Sequence, residues 1–325
     1  CWVADRGAGL MVIRPADHGI FASSGGGAVG AGYFGGGWVA ARVDTVDKFS
    51  FPNDSRTTLG TGLSAVRQYL AAMANSGTAG YFGGGIDNPD GDNVDTVDKF
   101  AFSDDSRTTL GTGLSAATGW LSGMANSGTA GYFGGGIAAT FTDAVDKFAF
   151  SDDSRTTLAT GLSMARYYMA AMANSGTAGY FCGGYEAVAE RVDTVDKFAF
   201  SDDSRSTLGT GLSAARWGWL AGMANSGTAG YVCGGKEAAT VDTVDKFAFS
   251  DDSRSTLATG LSAATWLAAA MADSGTAGYF GGGYAAATVS TVDKFDFSDD
   301  SRSTLGTGLS AATYGLAGMA DGNIA

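Results

Sequence analysis

The chain alternates short apolar segments with polar turns, and this pattern recurs six times. In the third copy, Leu121 to Ala125 is a run of small and apolar residues, and Thr129 to Gly135 is an aromatic segment that ends in glycines. Val145 to Phe150 places two phenylalanines on one face with a period of two, and Arg155 to Leu162 follows a Ser-Asp-Asp-Ser turn. The pattern predicts four short β-strands in each copy and no helix.

The tyrosine of a Gly-Tyr phrase marks the spacing of the copies. A period of about 50 residues is enough for four strands and their turns. Because repeats of this length share one core, we expect residues 19–325 to form a single domain, with residues 1–18 as a leader or a connection to a missing segment. The marker residues are separated by 48, 51, 48, 51 and 48 positions, and they are Tyr33, Tyr81, Tyr132, Tyr180, Tyr231 and Tyr279.

The repeat resembles the kelch-type β-propeller family. The matching features are the aromatic strand with its glycine pair at Tyr132 to Gly135, the aromatic Phe150 before a polar turn, and the small-residue strand that opens the next unit. The chain departs from that family because threonine or leucine stands where a tryptophan is usual near the fourth strand. Such tyrosine-phenylalanine-glycine repeats are also similar to those of bacteriophage virion proteins and bacterial surface proteins. The resemblance implies an extracellular, cell-surface or virion setting.

The number of opening strands predicts how the ring closes. The second, third and fourth strands occur six times, whereas the opening strand occurs weakly around Ile20 to Ser24 and again around Tyr314 to Met319. The simplest arrangement is an all-β, six-bladed kelch-like propeller with four antiparallel strands per blade, in which one terminal strand completes the first blade beside Gly32 to Gly37 and hides its edge. The C-terminal copy keeps the repeat better, so we favour it as the closing strand.

Charge and composition limit the classes of partner that the protein could bind. The formal charge is −13, which repels phosphate backbones and anionic lipid, so we expect no nucleic-acid partner. No segment approaches the roughly 20 apolar residues of a membrane-spanning helix, so we expect no membrane span. Cys182 and Cys233 replace the same repeat glycine in consecutive copies, and equivalent points of adjacent units lie too far apart for a disulfide. We expect two buried free thiols.

Catalytic chemistry has little support in the residues. His18 is the only histidine, which excludes a multi-histidine metal site within the chain and, with it, the copper site of the kelch-fold oxidases. The acidic loop Asp87 to Asn93 does not have the spacing of a calcium loop and is better interpreted as a solvated turn. Repeated aspartates such as Asp98 are more often hydrogen-bond acceptors within a blade than cation ligands. We predict no enzymatic activity and no cofactor.

Variation among the copies points to one face of the disc. The turns between strands one and two and between strands three and four barely change, whereas the loop between strands two and three and the segment between blades change freely. Since strands alternate in direction, the two variable segments emerge on the same face. That face is rich in residue types that form binding hot spots. The candidate ligand-binding residues are Trp38, Tyr69, Trp120, Tyr167, Tyr168, Arg216, Trp217, Trp219, Trp266 and Tyr314.

These residues have two possible roles. They could bind a glycan or a protein receptor, or they could pack between blades as wedges, although wedge positions should be as uniform as the rest of the repeat. We therefore predict a non-catalytic recognition or adhesion module that contacts neighbouring subunits of a larger virion or cell-surface assembly. The alternative is a purely structural subunit with no small ligand.

Overall fold

The computed structural model of the protein describes residues 30–87, 91–188 and 190–321. These residues form short β-strands and turns, and no helix among them is long and apolar enough to cross a membrane. The weak opening strand predicted at Ile20 to Ser24, the segment 1–18 and His18 lie outside the described residues.

Six four-stranded antiparallel sheets follow one another along the chain, and we number them sheet 1 to sheet 6. In sheets 1 to 3 the strands are β1 (Ala31–Gly35), β2 (Val46–Ser50), β3 (Ser55–Thr58), β4 (Ala71–Asn75), β5 (Ala79–Gly83), β6 (Val97–Ala101), β7 (Arg107–Thr109), β8 (Ser122–Asn126), β9 (Ala130–Gly134), β10 (Val145–Ala149) and β11 (Arg155–Thr157).

The second half of the chain repeats this arrangement and adds a small three-stranded sheet on the loops of sheet 4. The small sheet contains β12 (Arg166–Tyr167), β15 (Tyr185–Glu186) and β16 (Glu190–Arg191). Sheets 4 to 6 contain β13 (Ala170–Asn174), β14 (Ala178–Cys182), β17 (Val195–Ala199), β18 (Arg205–Thr207), β19 (Ala221–Asn225), β20 (Ala229–Cys233), β21 (Val244–Ala248), β22 (Arg254–Thr256), β23 (Ala269–Asp273), β24 (Ala277–Gly281), β25 (Val292–Asp296) and β26 (Arg302–Thr304), and the last strand is β27 (Ala317–Asp321).

The last strand of the chain pairs with the first described one. Strand β27 is antiparallel to β1, with Ala31 opposite Asp321 and Gly35 opposite Ala317, so it supplies the first strand of sheet 1. The C-terminal copy therefore takes the position that the sequence favours for it. The first strands of successive sheets contact each other in order, and β23 of sheet 6 contacts β27.

The predicted fourth strand is too long. Its ladder ends at Thr157, after which Leu158 donates a last backbone hydrogen bond to Val145 at 2.8 Å. The chain then leaves the sheet because Leu162 is buried and Gly161 lies directly against the backbone of Asp143, where a side chain would not fit. The segment from Leu158 to Leu162, predicted as strand, is a loop anchored by two leucines.

Neighbouring sheets are joined by a uniform set of aromatic stacks. The tyrosine of each second strand stacks on a phenylalanine of the next sheet, as Tyr33 does on Phe102 with ring centroids 5.3 Å apart. The same tyrosine donates a 2.8 Å hydrogen bond to Asp105, which also binds Lys48 at 2.8 Å. The other stacks are Tyr81 with Phe150, Tyr132 with Phe200, Tyr180 with Phe249, Tyr231 with Phe297 and Tyr279 with Phe51.

Three interfaces contain a buried ion pair that the other three lack. The Arg67 guanidinium is buried and donates to Asp98 of sheet 2 at 2.5 Å and to the carbonyl oxygens of Gly84 and Thr96. Burial lowers the pKa of Arg67, and the Asp98 charge opposes that shift. The equivalent pairs are Arg166 with Asp196 and Arg216 with Asp245, and threonine replaces the arginine at Thr118, Thr265 and Thr313.

Both repeat cysteines are buried free thiols, as predicted. Burial raises the pKa of Cys182 and of Cys233 to about 12, against a smaller opposing effect of the nearby arginines. Because the thiolate is the reactive form, these two side chains act as small apolar core residues at neutral pH.

Glycine and alanine alternate around the axis at the second position of the first strands. A Cβ atom on Gly123 would collide with the carbonyl oxygen of Ala72, which lies in the first strand of the preceding sheet. The two strands can therefore approach this closely only because residue 123 is glycine. Gly222 and Gly318 meet the carbonyls of Ala171 and Ala270 in the same way. At three of the six junctions between first strands, the close approach therefore requires glycine.

We expect Gly123→Ala to destabilise the fold by about 1–3 kcal/mol, because the clash is with backbone and not with a flexible side chain. Gly111→Ala is the matched control, since a Cβ there meets nothing within 4 Å. The control should change stability by no more than about 0.5 kcal/mol. Urea unfolding of both variants measures the two changes in stability, and equal midpoints would contradict the close contact between Gly123 and Ala72.

Candidate recognition face

The two variable segments of the repeat form one continuous surface, which we call the loop face. The segment before each first strand is bridged to the loop between the second and third strands, as Trp217 and Lys236 are through backbone hydrogen bonds of 3.1 and 2.7 Å. Trp266 and Tyr284 form the same bridge, and Trp38 bridges to Tyr314 across the junction of sheets 1 and 6. The sequence prediction that both segments share a face agrees with this geometry.

A ring of backbone hydrogen bonds surrounds the axis at the loop face. The residue before the buried leucine, methionine or alanine that precedes each first strand has a positive φ. At five of the six positions its N–H donates to the preceding unit, as Tyr69 does to Gly315 at 2.7 Å and Trp120 does to Tyr69 at 2.9 Å. At the sixth position Leu220 donates in place of Trp219. Positive φ costs non-glycine residues about 1–3 kcal/mol each, so the surrounding packing must hold them there. The six residues at these positions are Tyr69, Trp120, Tyr168, Trp219, Leu267 and Gly315.

Four of these residues pack into what we call the axial cluster: Tyr69, Trp120, Tyr168 and Trp219. Tyr69 lies 5.3 Å from both Trp120 and Trp219 between ring centroids, and Trp219 is only 7% exposed. Beneath them the axis holds a cavity of about 60 Å³ lined mainly by alanine, glycine and leucine. That volume accommodates a few water molecules at most. The axial cluster therefore closes the axis. Trp219 is too deeply buried for direct ligand contact, whereas Tyr69, Trp120 and Tyr168 are half-buried and their role in binding stays a prediction.

A second set of aromatic residues runs outside the axial cluster, and we call it the aromatic arc. Successive rings lie between 4.8 and 6.5 Å apart, mostly tilted or edge-on, a geometry that aromatic pairs favour. Its members are partly or, at Tyr284, well exposed. In order they are Trp38, Tyr314, Tyr284, Trp266, Trp217, Tyr185, Tyr167 and Phe141.

Three members of the arc were missing from the sequence prediction: Phe141, Tyr185 and Tyr284. They occupy the first or last position of the variable loop after each glycine pair, the two positions that bridge across the loop base in the structure. Aligning the six loops on their glycine pairs would have found the first of these positions. The last one depends on loop length, which the sequence alone does not align.

The arc is open on one side. At sheet 2 the bridging residues are Gln68, Ile86 and Asn93, none of which is aromatic, and at sheet 3 Phe141 is the one aromatic residue beside Gly119 and Ile137. The loop face is thus asymmetric although the fold beneath it repeats.

Cations of the chain itself lie against the arc. Lys236 Nζ is 5.1 Å from the centroid of Trp266 and 5.7 Å from that of Trp217, and the Arg42 guanidinium is 5.7 Å from Trp38. These distances are within the range of cation–π attraction. The arc therefore already uses its ring faces to hold positive charge.

Arg216 does not belong to the exposed surface. Its side chain is fully buried and its guanidinium donates to Asp245 and to the carbonyl oxygens of Gly234 and Thr243. An arginine in this position stabilises the interface between two sheets and is not available to a ligand. The prediction that Arg216 contacts a ligand is therefore wrong.

The tyrosine hydroxyls of the axial cluster stay neutral at physiological pH. Burial raises the pKa of Tyr69 above its ordinary value and raises that of Tyr168 to about 12. Within residues 30–87, 91–188 and 190–321, no group of three or more histidine, cysteine, aspartate or glutamate side chains is placed to hold a metal ion. Part of the acidic loop Asp87 to Asn93 lies outside these ranges, so the interpretation of that loop stays a prediction.

Comparison with known proteins shows the architecture. No protein-family model matches the sequence, and no curated protein matches it. Among solved structures, that titled "Structure of YjhT" aligns with a TM-score of 0.66 at 13% identity, covering 81% of this chain and 91% of that chain. The fold is a β-propeller. At this identity the likeness concerns the fold alone, and from here each four-stranded sheet is called a blade.

Proposed function

We propose that the described residues form a closed, six-bladed, kelch-like propeller. The pairing of β27 with β1 supports closure, as do side-chain contacts from the last blade to the first: Asp54 accepts hydrogen bonds from Tyr279 and Lys294 at 2.8 Å. These contacts are the same as those of Asp105 with Tyr33 and Lys48 between blades 1 and 2. The junction at the ends of the chain is thus built like an interior one.

We propose that this propeller is a non-catalytic recognition or adhesion module, part of a virion or cell-surface assembly, whose loop face binds a glycan or a protein. The proposal rests on the position of the exposed apolar residues. The large hydrophobic residues that are exposed in the described chain are Val39, Val188 and Tyr284, at 39%, 89% and 37%, and all three lie in loops of that face. Together with the aromatic arc they form the kind of patch that marks an interaction site.

Uniform and variable aromatic residues differ in role. The tyrosine–phenylalanine stacks between blades are the wedges, and they are the same at all six interfaces. Members of the arc vary from blade to blade and lie at the surface. This difference favours binding over packing for Trp38, Tyr167, Trp217, Trp266 and Tyr314. The axial cluster also varies, and there it is the burial of Trp219 that favours packing for that residue.

The double substitution Trp217→Ala with Trp266→Ala should lower the affinity for the partner at least about tenfold, since truncating central aromatic residues of an interface typically costs 2 kcal/mol or more. Binding of labelled protein to a glycan array and to arrayed cell-surface proteins measures this. Ser103→Ala with Asp104→Ala is the control, because both residues are exposed in a turn on the opposite face. Equal loss in both double variants, or in neither, would overturn the proposal.

A purely structural subunit is the second candidate, and the exposed outer strands favour it. All six blades present a short outer strand with exposed serine or threonine residues, as in β7 and β18. Repeated identical edges suit regular contacts with neighbouring subunits. In that case the arc variant would assemble and bind as the parent does, whereas substitutions on the outer strands would prevent assembly.

A further inference from the structure

Two small cavities lie at blade interfaces where threonine replaces the buried arginine, and we call them the threonine pockets. One, of about 30 Å³, lies between blades 2 and 3 and is lined by Thr118 and Asp146 among others. The other, of about 20 Å³, lies between blades 6 and 1 and is lined by Thr313 and Asp47 among others. The residues that line the two pockets occupy the same positions of the repeat. The pockets are therefore a property of the repeat and not of one irregular loop.

The arginine interfaces show which group this place holds. Arg67 takes the position of Thr118 in its own unit, and its guanidinium donates to Asp98 at 2.5 Å. It also donates to the carbonyl oxygens of Gly84 and Thr96 at 2.9 and 3.0 Å. Three acceptors thus surround a planar group whose donors form a fixed fork.

The same three acceptors stand around the threonine pocket between blades 2 and 3. They belong to Asp146, Gly135 and Ala144, and all three residues line the pocket. The Gly135 N–H donates to the Ala144 carbonyl at 3.0 Å, and the matching bond at the arginine interface is 2.9 Å long, so the backbone follows the same course. The Thr118 hydroxyl donates away, to the carbonyl of Ala116 at 2.9 Å. The pocket therefore presents acceptors to a ligand.

The aspartate of the pocket already has partners, and the arginine interfaces show that these partners leave room for a further donor. Asp146 accepts hydrogen bonds from a serine and a threonine and lies 3.5 Å from Arg155. Asp196 has the same kinds of partner, with Arg205 at 3.6 Å, and nevertheless accepts a 2.9 Å bond from Arg166. A guanidinium group in the threonine pocket would complete the same arrangement.

The threonine pockets can be reached from solvent without separation of the blades. Val39, which is exposed on the loop face, lines one pocket, and the exposed Ala116 lines the other. Each volume is enough for about two water molecules, so only a small polar group fits.

We propose that the threonine pockets bind a guanidinium group, which takes the place that the arginine side chain takes at the other three interfaces. The third threonine interface has the same residues, Thr265 and Asp293, and the Ser262 N–H donates to Asp293 at 2.7 Å. The group could belong to a free small molecule or to an arginine of a protein partner. The inference goes beyond the recognition role, because it concerns the interfaces between blades and not the aromatic arc.

Isothermal titration with methylguanidinium and with its neutral isostere methylurea tests the pockets. Methylguanidinium should bind at least about tenfold more tightly than methylurea, because its hydrogen bonds to the aspartate are charge-assisted. Arginine at all three threonine interfaces should fill the pockets from within and weaken binding at least about tenfold. This variant is Thr118→Arg with Thr265→Arg and Thr313→Arg.

The matched control adds three arginines to the same segments at exposed positions, so it changes the charge equally and leaves the pockets open. It should change the affinity for methylguanidinium less than about twofold. Thermal unfolding of both triple variants verifies that each is folded. The control is Thr112→Arg with Thr259→Arg and Thr307→Arg.

The reverse substitution tests the inference without the triple variants. Arg67→Thr should open one more pocket, beside Asp98. Methylguanidinium should therefore raise the thermal midpoint of this variant more than that of the parent, since a ligand that binds the folded state stabilises it. Methylurea at the same concentration should not.

Three results would overturn the inference: equal binding of methylguanidinium and methylurea, equal effects of the two triple variants, or equal responses of Arg67→Thr and the parent. With methylguanidinium bound, competition by N-acetyl-arginine amide assigns the group to a protein side chain, and lack of competition assigns it to a free small molecule. Failure of these tests while Trp217→Ala with Trp266→Ala still loses partner binding would reject the pockets and leave the recognition role standing.

Discussion

The protein is expected to unfold cooperatively between about pH 10 and 12. Six tyrosines, one at each blade interface, donate 2.8 Å hydrogen bonds to an aspartate of the next blade, and all are buried. Burial, and then the hydrogen bond to the aspartate, raise the pKa of each hydroxyl far above its ordinary value of 10.0.

The direction of the effect follows from proton binding. Above about pH 10 the unfolded chain releases these protons and the folded chain keeps them, so the stability present below pH 10 is lost as pH rises toward the folded-state pKa. Each group contributes at most about 1.4 kcal/mol per pH unit, and six together approach roughly 8 kcal/mol per pH unit. That slope is comparable to the whole stability of a domain.

Chemical unfolding at a series of pH values measures how the free energy of unfolding changes with pH, and phenolate absorbance is a second signal. Tyr132→Phe should reduce the slope by about one sixth, because it removes one of the six buried hydroxyls. Tyr284→Phe, in an exposed loop, is the control and should leave the slope unchanged. Phenolate formation by more than six of the twelve tyrosines while the protein is still folded would contradict the prediction.

Asp98→Asn should destabilise the protein by about 3–5 kcal/mol, because it leaves the Arg67 guanidinium buried without a counter-charge. Arg67 and Asp98 are both almost completely buried, and Asp98 also accepts hydrogen bonds from the backbone N–H and the hydroxyl of Ser64 at 2.9 Å. Urea unfolding of the variant against the parent gives the difference in free energy.

The neighbouring interface supplies the control. Asp146 accepts the same bonds from Ser115, but Thr118 stands in the place of the arginine, so Asp146→Asn should cost only about 1–2 kcal/mol. Arg67→Thr added to Asp98→Asn copies that interface and should recover part of the loss. If the two single variants were equally stable, the arginine would not need its partner and the assignment of this pair would be wrong.

The repeat made the scaffold predictable. Fixed positions for glycine, tyrosine and aspartate in six copies indicated four strands per unit, and the structure places those residues in six four-stranded sheets. The exception is the fourth strand. Leu158 and Leu162 look like continued strand in the sequence, and only the contact of Gly161 with Asp143 shows that the chain has already turned away.

The candidate site was harder to predict, because exposure depends on contacts between blades. Arg216 and Trp217 are adjacent in the sequence and belong to the same variable segment, yet one is buried on Asp245 and the other lies in the arc. The extra residue Gly218, with φ of 85°, shifts Trp219 into the axial cluster. The variable residues alone do not show which side chains are buried and which are exposed, since each is placed by a contact with a residue about 30 or more positions away.

The pairing of β1 with β27 also bears on where the chain could be cut. Ala31 and Asp321 are cross-strand neighbours, so their Cα atoms lie within the roughly 5 Å that separates such a pair. In a variant reduced to residues 31–321, a short linker from Asp321 to Ala31 would place the four strands of sheet 1 in one continuous segment, as they are in the other five sheets. Circular permutants of that variant opened beside Gly60, Gly111 or Gly209, which are exposed and unpacked, would keep the strand pairing and the contacts between blades.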